Sequence, residues 1–468
     1  MDTTKRPSLQ LRSNIGKLGI NIYANRKIFA LLAVAVLTVE FSCAPTPSER
    51  VPAGRKAPVT TDSLSVFFTG STFGRLKPCG CSGGQLGGLE RRPAVFNTVP
   101  IDKRMLIDTG ALIEGNRDQD LIKFDIIVEA LGLLDYHVVN LTKDDLETAR
   151  NRGSLAHPGV RFVSPYGTGD EIPVGIQNRY LLNGENVVIS VVTSDIDRSS
   201  LDRIRESFIA GKQGGRTVNI LIVNRLDERF ISSIAEMEIV DCVVCPSEAE
   251  EPMIIGSPNR RPLVFSVGRY GRYITRLKIE KAGARGRLRF QFAKIRVSED
   301  LKPDTTLKEL YKGYQQIVRG SNLLEKHPRY PLDDGLKYVG SASCKACHES
   351  AYDKWRKTGH AKAYATLEEK GSQYDPECIA CHVIGLDYDS GFVSEQKTPE
   401  MKNVGCENCH GPGSEHVRTY GQADFNDPKS TCLDCHTPEH SGEYAGNEQV
   451  FRQKIIHWTE LNTPGDVK

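Results

Sequence analysis

Short runs of β-branched and aromatic residues alternate with polar or helix-like stretches through residues 63–298. Runs such as VVISVVTSD and VNILIVN have the length and composition of buried strands. Between two such runs, the stretch DQDLIKFDIIVEALGLL repeats apolar residues at helical spacing. Strands that alternate with helices predict a layered α/β domain over residues 63–298.

The pattern changes in the last third of the chain. Residues 299–335 contain DTTLKELYKGYQQIVRGSNLLEK, which is amphipathic at helical spacing and predicts a helical linker. From 336 to 468, strand-like runs vanish, and Cys, His and Gly-Pro turns dominate. Such a segment cannot bury a core of its own side chains, so it needs another apolar mass. We therefore predict a multidomain chain whose second domain, 336–468, is mainly α-helical and rich in loops.

The first 43 residues have the pattern of a bacterial export signal. Basic residues precede an apolar run at 28–39 that is too short to span a bilayer comfortably. Cys43 follows as in a lipoprotein cleavage site, although Glu40 stands where such sites prefer an aliphatic residue. Residues 44–62 are Pro-rich and polar, which is typical of a linker. The pattern predicts export to the periplasm. It leaves open whether the exported chain carries a lipid anchor at Cys43, keeps an N-terminal anchor, or has neither.

The distribution of charge excludes one class of function. The net charge of the chain is +2, but residues 336–468 hold 14 Lys and Arg residues against 20 Asp and Glu residues, giving −6 there. No concentrated basic stripe is present in either part, so nucleic-acid binding has no support. An acidic C-terminal part favours a basic or neutral partner, which its field would steer.

Eight of the 13 cysteines fall in four Cys-x-x-Cys-His motifs. Two thiols three positions apart can form thioethers to the two vinyl groups of one haem, and the adjoining His then lies beneath the iron as its proximal ligand. Zinc also uses Cys-x-x-Cys pairs, but it would not require a His after every pair. We therefore predict four haem c groups, attached at Cys344 and Cys347, Cys378 and Cys381, Cys406 and Cys409, and Cys432 and Cys435, with His348, His382, His410 and His436 as proximal ligands.

The residues around these motifs resemble the cytochrome c-554 family of tetrahaem electron carriers. The resemblance covers roughly residues 340–460 and includes the haem spacing, the GCENCHGPG signature and the TGHAKA stretch. It implies that the segment passes electrons between redox proteins in the periplasm.

Histidines outside the motifs are candidates for the distal ligands. The six residue steps from His410 to His416 span at most about 20 Å, so His416 more readily serves a neighbouring haem than its own. The resemblance assigns three distal ligands: His416 to the haem of His348, His360 to that of His410, and His457 to that of His436.

The resemblance leaves the iron of His382 five-coordinate, because no histidine matches a distal ligand for it. An open iron of this kind could bind nitric oxide or another small ligand. His440 competes with His457 for the fourth haem, and His327 could cap the second haem from outside.

The first domain carries a second resemblance. FFTGSTFGRLKPCGCSGGQLGGLERRPAV, followed by LIDTGALI and VDCVVCPSE, is similar to the periplasmic 5′-nucleotidase branch of calcineurin-like metallophosphoesterases over about residues 65–281. The fold that this implies is a two-sheet sandwich flanked by helices.

The metal ligands of that family are missing. Ser71-Thr72-Phe73 stands at the first metal motif, Gly110-Ala111 at the second, Leu141 to Asp144 at the third and Pro246-Ser247-Glu248 at the fourth, and Asn224 replaces an expected His. Without acidic and imidazole ligands, nothing holds two cations or lowers the pKa of a bound water. We do not expect phosphoesterase activity.

Four cysteines of this domain remain: Cys79, Cys81, Cys242 and Cys245. In the fold that the resemblance implies, both pairs lie on loops that border the lost metal site. They could form a Cys₄ metal or iron–sulfur site, one or two disulfides, or remain unpaired thiols.

Taken together, these patterns predict a periplasmic electron-transfer protein with four covalently bound haems, whose N-terminal domain has a docking or structural role. The alternative is an enzyme that reduces a nitrogen or sulfur oxide at an open iron of His382. The sequence leaves carrier and oxidoreductase both open, with the carrier favoured.

Overall fold

The computed structural model describes residues 62–78, 83–168, 171–197, 199–210, 216–282, 287–423, 432–437 and 440–457. The predicted export segment, Cys43, Cys79 and Cys81 lie outside these residues. From Thr60 to Lys468 the chain forms one compact unit, which holds both the α/β domain and the haem segment. Within the described ranges, no helix is both long enough and apolar enough to cross a membrane.

The α/β domain contains two sheets. The first has the strand order β11-β10-β1-β2-β3-β4 and the second has the order β5-β6-β7-β8-β9. In the first sheet β1 runs parallel to β2 and antiparallel to β10, and in the second only the β5–β6 pair is antiparallel. The strands are β1 Ser63–Thr69, β2 Arg104–Asp108, β3 Val138–Asn140, β4 Phe162–Val163, β5 Gly175–Leu182, β6 Glu185–Ser194, β7 Arg216–Val223, β8 Cys242–Cys245, β9 Leu263–Ser266, β10 Tyr273–Ala282 and β11 Arg287–Arg296.

Side chains that point alternately to the two faces of each strand form the core of the sandwich. Leu64, Val66 and Phe68 of β1 point into a buried cluster that they share with the inner face of the second sheet, including Val187 and Ile189. Intervening residues face the opposite side, because side chains alternate across a strand. The predicted two-sheet sandwich is therefore confirmed by the strand order and by the core between the sheets.

Helices cover the outer face of each sheet. On the first sheet they bury Phe124, Leu146 and Leu307, and on the second they bury Ile204 and Phe230. The helices of this part are α1 Arg92–Phe96, α2 Asp118–Leu133, α3 Lys143–Arg152, α4 Ser200–Ala210, α5 Glu228–Glu236, α6 Thr305–Gly320 and α7 Leu323–Lys326.

The predicted linker helix is part of the core. Asp304 caps α6 by accepting a hydrogen bond from the N–H of Leu307. The apolar face of α6 then buries Leu307, Tyr314 and Val318 against the first sheet's helical layer. Because that face is covered, residues 305–320 form part of the α/β domain's core.

The haem segment consists of short helices joined by turns, as predicted from its lack of strand-like runs. It does have a core of its own, contrary to the expectation from composition: eight of its buried residues, among them Tyr364, Ile379 and Phe392, form one cluster with Leu324 of α7. Its helices are α8 Glu349–Trp355, α9 Ala363–Lys370, α10 Pro376–Ile379, α11 Cys406–His410, α12 Ser414–Arg418 and α13 Glu448–Gln453.

Candidate haem-binding site

Each Cys-x-x-Cys-His motif begins in or beside a helical turn. Cys406 to His410 form α11, and Cys378 lies in α10, which Asp375 caps by accepting a hydrogen bond from the N–H of Glu377. A helical turn brings residues three and four apart onto one face. The two thiols and the imidazole of a motif can therefore address the same haem.

Three pairs of imidazole rings lie at closely similar distances from each other. The ring centroids are 5.9 Å apart for His348 and His416, 6.2 Å apart for His360 and His436, and 6.0 Å apart for His410 and His457. Each pair joins one motif histidine to one histidine from outside the motifs. Two metal–nitrogen bonds of about 2 Å each, together with the half-widths of two imidazole rings, give a separation of about 6 Å. The arrangement fits iron between each pair of rings.

Two of these pairs differ from the pairing that the resemblance implied. His416 lies opposite His348 as expected, but His360 lies opposite His436 and His457 lies opposite His410. The reason is the course of the C-terminal helix. The rings of Tyr444 and Phe451 pack on His436 with centroids 4.9 and 5.7 Å away, so α13 covers that motif and the chain beyond it carries His457 to His410.

The ring nitrogens that would face away from iron have partners. Nδ1 of His382 lies 2.5 Å from the carbonyl oxygen of Ala363, and Nδ1 of His416 lies 2.9 Å from that of Ala423. Because a carbonyl oxygen can only accept a hydrogen bond, Nδ1 carries the proton. Nε2 is then the unprotonated nitrogen, which is the form that binds a metal. Burial also lowers the pKa of His348, His360, His382 and His436, which favours the neutral, metal-binding form.

A cavity of about 1180 Å³ lies between the α/β domain and the haem segment. Cysteines and histidines of the second, third and fourth motifs line it. Its volume exceeds the roughly 300–1,000 Å³ of a typical site for one small molecule. The size and the donor set therefore fit several haem groups.

The α/β domain forms the opposite wall of this cavity with basic and aromatic side chains. Lys123 is buried in α2 and pairs with Glu377, and Nη1 of Arg75 lies 3.9 Å from the same carboxylate. Nε of Arg75 is buried and has no hydrogen-bond partner among the described residues. A haem brings two propionates, which are the kind of anion that such side chains bind. Sequence reasoning missed this wall, because Lys123 and Glu377 carry no motif and are far apart in the chain.

Contacts between the motifs show which of them are neighbours. The third motif lies beside the first, because the N–H of Cys406 donates to Oγ of Ser341 over 3.1 Å. It also lies beside the second, because Nδ2 of Asn408 donates to the carbonyl oxygen of Val383 over 2.8 Å. The thiols of Cys381 and Cys435 are in contact, so the fourth motif is also a neighbour of the second.

Asn224, which stands where the phosphoesterase family has a metal-ligating histidine, belongs to a hydrogen-bonded network of neutral side chains. Nδ2 of Asn140 donates to Oδ1 of Asn224 over 3.0 Å, and the hydroxyl of Thr193 donates to Oδ1 of Asn140 over 2.6 Å. Nδ2 of Asn224 in turn donates to the hydroxyl of Tyr166. Across the described ranges, no group of three or more His, Cys, Asp and Glu side chains is arranged to hold a metal ion.

The remaining cysteines do not converge. Cys242 and Cys245 are buried free thiols on β8, and they belong to clusters on opposite faces of the second sheet. Residues three apart on a strand point in opposite directions, so this pair cannot ligate one ion or form a disulfide with each other. Of the three alternatives for the four cysteines, the structure thus disfavours a Cys₄ site that includes both of these two, while Cys79 and Cys81 lie outside the described residues.

His327 lies outside the cavity lining. Its Nε2 is 2.7 Å from Oδ1 of Asp387, an exposed carboxylate. The structure thus gives His327 a partner on the haem segment's surface instead of a position over the second motif.

Residues 343–411 match the family model described as Cytochrome c554 and c-prime. Cytochrome c-554 of Nitrosomonas europaea is 33% identical over 113 aligned residues, which cover 20% of this chain and 48% of that protein. The chain thus spans about half the length of this curated relative. The resemblance of the haem segment to this family is confirmed.

Two solved structures are similar to the α/β domain and its surroundings. A calcineurin-like phosphoesterase of Bacillus subtilis has a TM-score of 0.42 at 13% identity and covers 55% of this chain and 97% of its own. A 5′-nucleotidase precursor of Thermus thermophilus has a TM-score of 0.42 at 14% identity, with 66% and 68% covered. Both are proteins of the kind that the sequence resemblance indicated.

Proposed function

We propose that this protein relays electrons between periplasmic redox partners through four covalently bound haem c groups. The observation that carries the proposal is the one-to-one pairing of three motif histidines with three others, at ring separations of 5.9 to 6.2 Å. An iron held by two imidazoles has no free position and can do little except exchange electrons. When bound, the haems supply the redox chemistry, and the chain supplies attachment, axial nitrogens and charge.

The order of the motifs supports a path through the protein. The third motif lies beside both the first and the second, and the fourth lies beside the second. Electrons that enter at the first haem would therefore pass to the third, and from there to the second and its neighbour, the fourth.

The two ends of this path have different surroundings. Residues of the second motif line the cavity beneath the α/β domain, whereas Cys347 of the first motif is exposed and outside that cavity. We assign partner docking to the exposed end, and a structural role to the α/β domain, which covers the other end. The acidic balance of residues 336–468 favours a basic partner. A lipid anchor at Cys43 would hold the relay at a membrane surface facing the periplasm.

The test is a stopped-flow experiment on the fully haem-loaded, reduced protein. A small, basic, single-haem c-type cytochrome in excess serves as the acceptor. Because the haems are neighbours, we expect all four to be reoxidised, with a rate that falls as ionic strength rises. Reoxidation of only part of the haem absorbance, with the remainder stable over many turnovers of the first phase, would contradict a connected relay.

A further inference from the structure

We infer that His440 is the second axial ligand of the haem attached at Cys378 and Cys381, so that this iron has no open position. The inference rests on the proposed attachment of haem at that motif. It departs from what the family resemblance implies, which is a five-coordinate iron at His382.

The first argument is location. His382 and His440 both line the cavity between the α/β domain and the haem segment. The thiol of Cys381, next to His382, is in contact with that of Cys435, five positions before His440. A histidine from outside the motifs thus shares the space of the second motif, as in the three ring pairs.

The second argument is the orientation of the imidazole. Nδ1 of His440 is 2.8 Å from the hydroxyl oxygen of Thr437, and Nδ1 of His382 is 2.5 Å from the carbonyl oxygen of Ala363. Each hydrogen bond engages Nδ1, so Nε2 is the ring nitrogen that would bind iron. Metal-bound histidines usually have such a partner on the other ring nitrogen, which fixes the ring and its tautomer.

The third argument is how the backbone at His440 is held. Its N–H donates to the carbonyl oxygen of Thr437 over 3.1 Å, which closes a turn directly after the fourth motif. Its own carbonyl oxygen accepts a 3.0 Å hydrogen bond from Nε2 of Gln85, a buried side chain of the α/β domain. Gln85 therefore fastens the turn from across the cavity, and it is a positioning residue for the ligand.

The fourth argument is the placement of the other histidines. Three pairs account for six of the 11 histidines of the chain, and His327 contacts Asp387. The other two lie in the α/β domain: Nδ1 of His137 accepts from the N–H of Leu106, and Nε2 of His157 contacts Glu129. His440 is the histidine that remains for His382.

The consequence is that the α/β domain closes the site at which the resemblance would place an open iron. A small oxide could bind only by displacing the imidazole of His440. The arrangement favours electron relay over the alternative of a reductase at the second haem.

Electron paramagnetic resonance of the oxidised protein tests the inference directly. We expect only low-spin ferric signals in the wild-type protein, because every iron has two imidazoles. His440→Ala is expected to produce one high-spin haem per chain, and the ferrous form is expected to bind one carbon monoxide per chain, where the wild type binds none. Added imidazole should restore the low-spin signal, which a purely structural defect would not allow.

Two further variants separate the outcomes. His327→Ala is the matched control and should leave the spectrum low-spin. Gln85→Ala should permit slow carbon monoxide binding, which the wild type does not show, because the turn that holds His440 is released. A high-spin signal in the wild type, or one that appears in His327→Ala and not in His440→Ala, would overturn the inference. Four haems with one open iron would refute the assignment of His440 as a ligand and leave the proposed relay intact. If mass spectrometry of the second motif's peptide shows no haem, both the ligand assignment and the four-haem relay are refuted.

Discussion

The hydroxyl of Tyr314 donates a 2.8 Å hydrogen bond to Oδ2 of Asp375, which is 61 positions further along the chain. Tyr314 belongs to α6, which is packed on the α/β domain, and Asp375 caps the helix that carries Cys378. Gln119 of α2 donates to the other oxygen of the same carboxylate over 2.6 Å. The second haem motif is thus fixed to the α/β domain through one buried acid.

Tyr314→Phe should destabilise the protein and loosen this connection. The change leaves a buried carboxylate oxygen without its hydroxyl donor, which typically costs about 1–3 kcal/mol. Chemical denaturation of the haem-loaded protein measures the loss in the free energy of unfolding. Tyr330→Phe is the control, because Tyr330 is 61% exposed. Equal stability of the two variants would show that the contact contributes nothing.

Asp375 should make the stability of the protein depend on pH. Burial, and then the charge of Glu377, raise the pKa of this carboxyl above its ordinary value of 3.8. The folded state therefore holds the proton more tightly than the unfolded state does, and this contribution to stability is lost as pH rises from the ordinary pKa through the raised one. Asp375→Asn keeps a helix cap without the charge. Denaturation curves at several pH values should show a weaker decline for the variant, and parallel curves would contradict the assignment.

Lys123→Met should lower the reduction potential of the haem at the second motif. The buried ammonium group lies in the cavity wall beside Glu377, so its removal takes one positive charge from beside that carboxylate and the haem. A change of on the order of 40 mV corresponds to a Coulomb interaction of about 1 kcal/mol at an intermediate dielectric constant. Potentiometric titration monitored by absorbance measures it. Lys312→Met, at an exposed ion pair with Glu309, should leave all four potentials unchanged.

Cys242 and Cys245 should resist thiol reagents in the folded protein. Burial raises the pKa of Cys245 to about 12 and that of Cys242 well above its ordinary value, so neither thiol ionises near neutral pH. We expect both to be alkylated only after unfolding, as measured by peptide mass spectrometry. Rapid labelling of either thiol in the native protein, or a disulfide or metal adduct at this pair, would contradict the structure.

The sequence predicted those features of the fold and the site that depend on residues close together in the chain. The strands of the sandwich follow from β-branched runs, and the haem attachment sites follow from the spacing within each motif. The divergence of Cys242 and Cys245 was also within reach, because a side-chain period of two sends residues three apart to opposite faces.

The remaining features depend on contacts between distant parts of the chain. His360 meets His436 because of how α13 packs on the fourth motif, and no spacing rule indicates that pairing. Gln85 reaches the carbonyl oxygen of His440 across 355 positions. The sequence predicted α6 as a linker helix. Its amphipathic pattern indicates that one face is buried, but the pattern does not identify the part of the protein that buries it.

The most direct test of the account is a count of covalent haems. The protein should be produced in a bacterial periplasm with the haem-attachment machinery, and its intact mass should be measured. We predict the mass of the mature chain plus four haems, and a loss of one haem in a variant with both motif cysteines of any one site changed to alanine. A wild-type mass with fewer than four haems, or with zinc in their place, would contradict the account.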